Sequence, residues 1–277
     1  MKLTTQHFYR GAVNLWVEDP ITEAVLTELW QDKDINTIIT SGKEGVRHML
    51  RTRPPEYRTR VFGLVDRDFD EGDPSNWLEP DDGLFRLPAH EIENLLLDFE
   101  ILAALSKPRA TPSRIQDLAL RHAHTLLPWS ACKALLRQAQ NELGQGFPTD
   151  PPQDPTKLGD PHKYVNELNW WGDHDTGWSR WSRAEWRNER LSLALDEMKA
   201  HLESASWMQR FPGKEILRHL RSHVAGLDAT PVRPLDPTSA ERDLDLAKRI
   251  ARMMREHERA PTEIAALRRE LRSRAGL

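Results

Sequence analysis

Five acidic side chains follow shortly after apolar segments in the first hundred residues. They are Glu18, Asp66, Asp68, Glu91 and Glu93. If these carboxylates lie close together they repel each other, and a hard divalent cation with oxygen ligands relieves that repulsion. Such a cation also positions phosphate groups for reaction. The sequence therefore predicts a Mg²⁺ or Mn²⁺ site built from these side chains.

The segments that precede these acids have the character of buried parallel strands. Strands are predicted at residues 12–17, 35–40, 61–65 and 84–87. Helical patterns lie between them, and strands alternating with helices indicate an α/β fold with a mainly parallel sheet flanked by helices. Ligands of such sheets bind beyond the carboxyl ends of the strands, so the acids are expected to share one crevice.

The charge distribution points to the same part of the chain. The net charge is only −4, but residues 1–100 carry 11 Lys and Arg against 20 Asp and Glu. An acidic surface repels phosphate unless some of its carboxylates hold a cation. The first third of the chain is therefore where a metal site is expected.

Composition excludes several other classes of protein. The apolar runs are too short to cross a bilayer, and the first residues lack the apolar stretch of a signal peptide. The single cysteine, Cys132, can form neither an internal disulfide nor a zinc site of several cysteines. We expect a cytoplasmic protein with no membrane partner.

The order of these motifs resembles the TOPRIM family of topoisomerases, bacterial primases and overcoming-lysogenization-defect nucleases. The resemblance rests on Glu18 after the first strand, a glycine-containing turn after the second, and Asp66-Arg67-Asp68 after the third. Residues 90–97, HEIENLLL, and 211–217, FPGKEIL, are similar to a bacterial TOPRIM-like family. Its members occur alone or with ABC-type ATPases, and they include the TOPRIM effector of the PARIS phage-defence system.

This resemblance implies a metal-dependent nuclease that hydrolyses the phosphodiester bonds of DNA or RNA, tRNA included, as a phage-defence effector. It implies that Glu18 binds metal or acts as general base, and that Asp66 and Asp68 form the metal-binding pair. Glu93, with Glu91, would be a further metal ligand, and Lys214 would stabilise charge on the scissile phosphate. A nucleic acid substrate, an ABC-type ATPase and a second copy of the chain are the implied partners.

The resemblance covers about residues 10–105, and the helical patterns and proline-rich breaks beyond it divide the chain into three parts. Residues 8–105 would form the TOPRIM-like α/β domain, and residues 106–235 a helical, tryptophan-rich insertion. Within the insertion, residues 211–222 would return to the core. Residues 236–277 would form C-terminal helices.

One departure from the family pattern bears on activity. Many relatives have glycine after the first-strand glutamate, whereas this chain has Asp19-Pro20. Asp19 or Glu23 is then expected to supply a missing carboxylate. The departure also leaves two alternatives open, a catalytically lapsed scaffold that binds an ABC-type ATPase and a nucleotidyl transferase of the primase kind.

Several other groups of side chains have types that suit ligand binding but spacings that favour a structural role. The tryptophans and arginines of residues 170–190 could stack bases, although packing of the helical insertion is favoured. His122 and His124 are expected at the surface or as caps, as are the residues of Asp173-His174-Asp175. The C-terminal arginines are expected to form a solvated helix face.

Overall fold

The computed structural model describes residues 12–69, 74–143, 151–152, 154–170, 178–204, 206–228 and 238–277. Its centre is a parallel sheet with the strand order β2-β1-β3-β4. The strands are β1 (Val13–Val17), β2 (Ile35–Ile39), β3 (Val61–Val65) and β4 (Leu84–Arg86). Helices flank this sheet, and the predicted α/β fold class is confirmed.

The two central strands are buried along their whole length. All five residues of β1 and all five of β3 are buried, as expected for near-continuous apolar runs between two helical layers. Gly63 in β3 allows a helix to approach closely, because a Cβ there would lie 2.4 Å from a methyl group of Val46. The observed strands differ from the predicted ones by at most one residue at an end.

The helices of the described residues follow the chain in this order. They are α1 (Pro20–Trp30), α2 (Gly42–Thr52), α3 (Phe99–Leu105), α4 (Pro112–Leu143), α5 (Pro161–Glu167), α6 (Trp178–Trp181), α7 (Ala184–Glu203), α8 (Trp207–Arg210), α9 (Gly213–His223), α10 (Ser239–Glu256) and α11 (Thr262–Ala275). The proline-rich stretches 144–161 and 231–237 are predicted to be loops, and residues 144–150, 153 and 231–237 of them lie outside the described residues, as do residues 8–11.

Two helical predictions need correction. The apolar residues of segment 92–105 recur at helix spacing, which predicts one helix, but the structure has a 3₁₀ turn (Ile92–Leu96) and then α3. The break arises where Asp98 caps α3 by accepting hydrogen bonds from the N–H groups of its first turn. On α10, helix spacing from Leu246 and Ile250 predicts Met253 and His257 on the buried face, whereas the buried face of the structure ends with Met254.

The C-terminal helices pack on α1 and bind its acidic side chains. Arg252 and Arg255 form ion pairs with Glu28 at 2.9 and 3.2 Å. Arg268 and Arg272 bind Asp32 at 2.8 and 3.0 Å, and the Asp32 side chain is only 4% exposed. Part of the acidic excess in the first third therefore stabilises the fold, and these two arginines do not form the solvated face that was expected.

None of the helices in the described part of the chain combines the length and the apolar character that crossing a bilayer would require.

Candidate metal centre

Three potential metal ligands meet at the carboxyl ends of β3 and β4. One ligand atom from each of Asp68, His90 and Glu91 lies within 4.8 Å of the others. Asp68 has a left-handed backbone with φ of 50°, a conformation that aspartate adopts more readily than most residues. Its N–H donates to the carbonyl oxygen of His90 at 2.8 Å, which joins the two turns. Asp68, His90 and Glu91 thus form a cluster that could hold a metal ion.

Glu18 and Asp66 lie beside this cluster and are bonded to its backbone framework. The Glu18 carboxylate accepts a hydrogen bond from the N–H of Asp66 at 2.7 Å. The Asp66 carboxylate accepts one from the N–H of Ile92 at 3.1 Å. Carboxylates that follow β1 and β3 are therefore linked to the turn after β4, so the three strand ends are brought together.

The turn that carries Glu91 and Glu93 is bonded to residues far along the chain. The Asn94 side chain donates to the carbonyl oxygens of Met208 and Phe211, the latter at 2.6 Å. The Glu91 carboxylate accepts a hydrogen bond from the N–H of Lys214 at 2.9 Å, at the first turn of α9. These contacts join segments 90–97 and 211–217, the two stretches on which the sequence resemblance depends.

The carboxylates of Glu18, Asp66 and Glu93 are largely removed from water and have too few positive charges beside them to offset their own, so their pKa values rise. Burial raises the pKa of Glu18 to about 7, against the lowering effect of the hydrogen bond from Asp66 and the charge of Lys43. Burial, with the charge of Glu93 next, raises the pKa of Asp66 well above its usual range. Burial, with the charge of Glu91 next, does the same for Glu93. These acids resist ionisation unless a cation is near.

Two lysines supply part of the missing charge. The ammonium group of Lys43, at the start of α2, forms an ion pair with Asp68 at 2.7 Å, and the Lys43 side chain is only 11% exposed. The charge of Lys214 lowers the pKa of both Glu91 and Glu93, against the larger effect of burial. Lys214 therefore belongs to the surroundings of the centre, and Lys43 contacts one of its ligands.

The donor set suits a divalent cation. Ligands at about 2.1–2.2 Å from one ion lie at most about 4.4 Å apart, so small side-chain adjustments would bring the three atoms into coordination. Burial lowers the pKa of His90 to about 4, so the imidazole is neutral near pH 7, as a metal ligand must be. The unrelieved repulsion among the neighbouring carboxylates is itself a reason for the site to favour a cation.

The structure gives a clear placement for each residue that the sequence singled out. It brings together Glu18, Asp66, Asp68, Glu91 and Glu93, with the charge of Lys214 beside them. Asp19 does not supply an additional ligand, because its carboxylate caps α1 and accepts hydrogen bonds from the N–H groups of Ile21 and Thr22. Glu23 accepts a hydrogen bond from the Thr27 hydroxyl on the same helix.

Two members of the site were not predicted as such. His90 stands in the predicted motif, but only the fold brings its ring to Asp68. Lys43 was recognised only as part of the turn after the second strand. A basic residue in that turn is the one signal that could have suggested it.

Trp181, Cys132 and His122 have structural roles. Trp181 is fully buried and stacks on Trp170 with 5.4 Å between ring centroids, so the packing interpretation is confirmed for it. Cys132 is buried, and burial raises the pKa of its thiol to about 12. His122 was expected at the surface or as a cap, but its ring stacks on that of His219 at 4.0 Å. Asp173-His174-Asp175 lies outside the described residues.

No family model, curated protein or solved structure matches this chain. The interpretation of the centre therefore depends on its own geometry and chemistry.

Proposed function

We propose that this protein is a metal-dependent nuclease that hydrolyses phosphodiester bonds of DNA or RNA at the candidate metal centre. The observation that carries the proposal is the convergence of five carboxylates and His90 at the ends of β1, β3 and β4. A fold that needed only stability would not place so many acids beside one another, because each ionised group is destabilised by its neighbours.

Asp68, His90 and Glu91 would hold the cation, with Asp66 and Glu93 as nearby carboxylates. When bound, a divalent cation would neutralise charge on a phosphate and lower the pKa of a coordinated water. Mn²⁺ suits this mixed set better than Mg²⁺, because Mg²⁺ prefers oxygen ligands alone and imidazole favours transition metals. Of the two ions, Mn²⁺ is therefore the one that we expect at this site.

Two groups of the chain can support hydrolysis directly. Glu18 has a pKa of about 7, which lets it accept and return a proton near neutral pH as a general base should. Lys214 is the cationic side chain that would stabilise the negative charge developing on the phosphate. Lys43 would hold Asp68 in place and balance its charge.

The test is cleavage of plasmid DNA and of total tRNA by the purified protein, with Mn²⁺ and with EDTA. Cleavage is expected with Mn²⁺ alone, and it should be abolished by Asp66→Ala and by Glu18→Gln. Asp117→Asn, which changes an exposed acid on α4, is the control and should cleave like the unchanged protein. Normal cleavage by the Asp66 or Glu18 variants would contradict the assignment of the site.

The second candidate is a scaffold that has lost catalysis and binds an ABC-type ATPase. The ion pair between Lys43 and Asp68 favours it, because a lysine that neutralises a ligand replaces part of the charge of a cation. Under this hypothesis the protein neither cleaves nucleic acid nor gains stability from Mn²⁺. A thermal melt with and without Mn²⁺ separates the two candidates.

A further inference from the structure

A cavity of about 470 Å³ opens beside the candidate metal centre. Asp68 and His90 line it, together with residues of α4 and α7. Its size falls in the range of sites that hold small organic groups. Any molecule seated there would place its nearest atoms next to the proposed metal ligands.

Three arginines line this cavity, and two of them come from segments far along the chain from Asp68 and His90. Arg190 and Arg210 line it, and neither forms an ion pair with an acid among the residues the structure describes. The C-terminal arginines behave differently, as the ion pairs with Glu28 and Asp32 illustrate. The cavity therefore presents guanidinium groups that are available to an anionic ligand.

Arg190 is held by an aromatic ring instead of by an acid. Its guanidinium carbon lies 5.3 Å from the centre of the Trp186 ring, and its Nε is buried without a hydrogen-bond partner in the described structure. Arg180 lies 5.6 Å from the same ring centre. A guanidinium stacked on a ring keeps its donors in the plane, which is the geometry that binds phosphate oxygens in pairs.

Part of the cavity lining is apolar. Leu193 lines the cavity and is 53% exposed, which is high for a large apolar side chain. Ala194, Met198 and Leu135 also line the cavity, with Met198 and Leu135 only 6% and 1% exposed. Two arginines beside an exposed apolar side chain suit a ligand that has an apolar part as well as negative charge, and the acids Asp68 and Glu197 also line the cavity.

We infer that this cavity binds one nucleotide unit of a single-stranded nucleic acid, with phosphate groups on Arg190 and Arg210 and the base against the apolar part of the lining. The inference rests on the proposed function, and it names the form of substrate that this site would accept. Proteins that bind single strands combine a cationic groove with surfaces on which bases pack.

A base-paired duplex does not suit this site. The bases of a duplex are stacked inside it and must leave the stack before they can enter a pocket. A duplex could therefore bring only its phosphates to the arginines, and it would leave Leu193 and its neighbours without a partner. DNA and RNA share the phosphate and base chemistry used here, so the experiment includes both.

The test is binding of labelled strands about 12 nucleotides long, within the range that single-strand sites cover. Fluorescence anisotropy of the full chain would compare single-stranded DNA, single-stranded RNA and the matching DNA duplex, in EDTA and in Ca²⁺. The variants are Arg190→Gln and Arg210→Gln. The matched control is Arg269→Gln, which removes the same charge from an exposed position on α11.

We expect at least one of the two single strands to bind more tightly than the duplex. Each cavity variant should weaken that binding about tenfold, as expected when a charge-assisted hydrogen bond is removed, and Arg269→Gln should not change it. The salt dependence should also become shallower, by about 0.7 in log–log slope for each phosphate that the protein no longer neutralises. Equal or tighter duplex binding, unchanged binding by both variants, or no binding at all would overturn the inference.

These outcomes are separable from those of the proposed function. If single strands bind through the two arginines but are not cleaved in Mn²⁺, the inference about the cavity stands and the proposed hydrolysis is contradicted. If cleavage requires Asp66, and both arginine variants cleave and bind like the unchanged protein, the proposed function stands and the inference about the cavity is overturned. The arginine variants should also retain the thermal shift caused by Mn²⁺, because neither residue is among the proposed ligands.

Discussion

The carboxylate of Glu91 accepts a hydrogen bond from the backbone N–H of Lys214 at 2.9 Å, although 123 positions separate the two residues. A negative charge at the first turn of a helix is favourable, so Glu91 both caps α9 and stands among the proposed ligands. The position of α9 and the geometry of the metal centre are therefore coupled.

Gly213→Ala should break this coupling. A Cβ at Gly213 would lie 2.5 Å from the backbone nitrogen of Asn94, which cannot move without shifting the turn that carries Glu91 and Glu93. We expect a loss of about 1–3 kcal/mol in the free energy of unfolding, measured by urea denaturation. Ser222→Ala, at an exposed position on the same helix, should cause little change, and equal stability of the two variants would contradict this account.

Mn²⁺ should stabilise the protein through Asp68 and His90. Ligand binding to the folded state alone stabilises it by about 2.7 kcal/mol when the free ligand is at about 100 times its dissociation constant. In a thermal melt, Mn²⁺ is expected to raise the Tm of the unchanged protein. Asp68→Asn and His90→Gln should each remove that increase, and a retained increase in both would show that the ion binds elsewhere.

Lys43→Gln should affect metal binding and catalysis in opposite directions. Removing the ammonium group that lies 2.7 Å from the Asp68 carboxylate lowers the positive charge near the site, so Mn²⁺ should bind more tightly. Cleavage should slow, because Asp68 loses the partner that positions it. A Mn²⁺ titration followed by Tm measures the first effect, and Arg47→Gln on the same helix is the control.

The ion pairs of Glu28 should make the fold sensitive to acid. The hydrogen bond from Arg252 is the main cause that lowers the pKa of Glu28 below its usual value of 4.5. A carboxylate whose pKa is lower in the folded state contributes stability above the unfolded pKa, and that contribution is lost as the pH falls through the folded pKa. Glu28→Gln should therefore lower the Tm at pH 7 and have progressively less effect below about pH 4.5. Glu23→Gln, on the same helix, should leave the Tm nearly unchanged at both pH values.

The stacked histidines should make the stability of the fold depend on pH in a second, higher pH range. Burial lowers the pKa of His122 to about 4, and the neighbouring His219 and His223 add to this lowering. The unfolded chain then binds a proton more readily than the folded one, so stability should fall as the pH decreases from 6.5 towards 4. His122→Phe should reduce that slope in a series of melts, whereas an unchanged slope would assign it to other groups.

The strands of the sheet could be predicted from the sequence because each strand is specified by residues that are adjacent in the chain. The runs that form β1 and β3 are apolar over five residues, and Asp19-Pro20 gives the start of α1 without reference to the rest of the chain. The break between the 3₁₀ turn and α3 was missed, because the apolar spacing of residues 92–105 continues across it.

The composition of the centre was harder to predict, because it depends on contacts between distant elements. The acids could be assigned from their places at strand ends, whereas the participation of Lys43 arises from the way α2 packs beside β3. The acidic excess of the first third was ambiguous for a similar reason. Part of it contributes to the centre, and part binds arginines more than two hundred positions away.

The packing of α1 against the last helices has a consequence for how the chain acquires its structure during synthesis. The indole N–H of Trp30 donates to the carbonyl oxygen of Ile264 at 3.1 Å, and Glu28 forms ion pairs with Arg252 and Arg255. Residues near the start of the chain therefore depend on partners that are synthesised last. At ordinary rates of translation the intervening residues take on the order of tens of seconds to emerge from the ribosome. Throughout that time the apolar face of α1 lacks its final cover, so the nascent chain is a natural client for chaperones until α10 and α11 arrive.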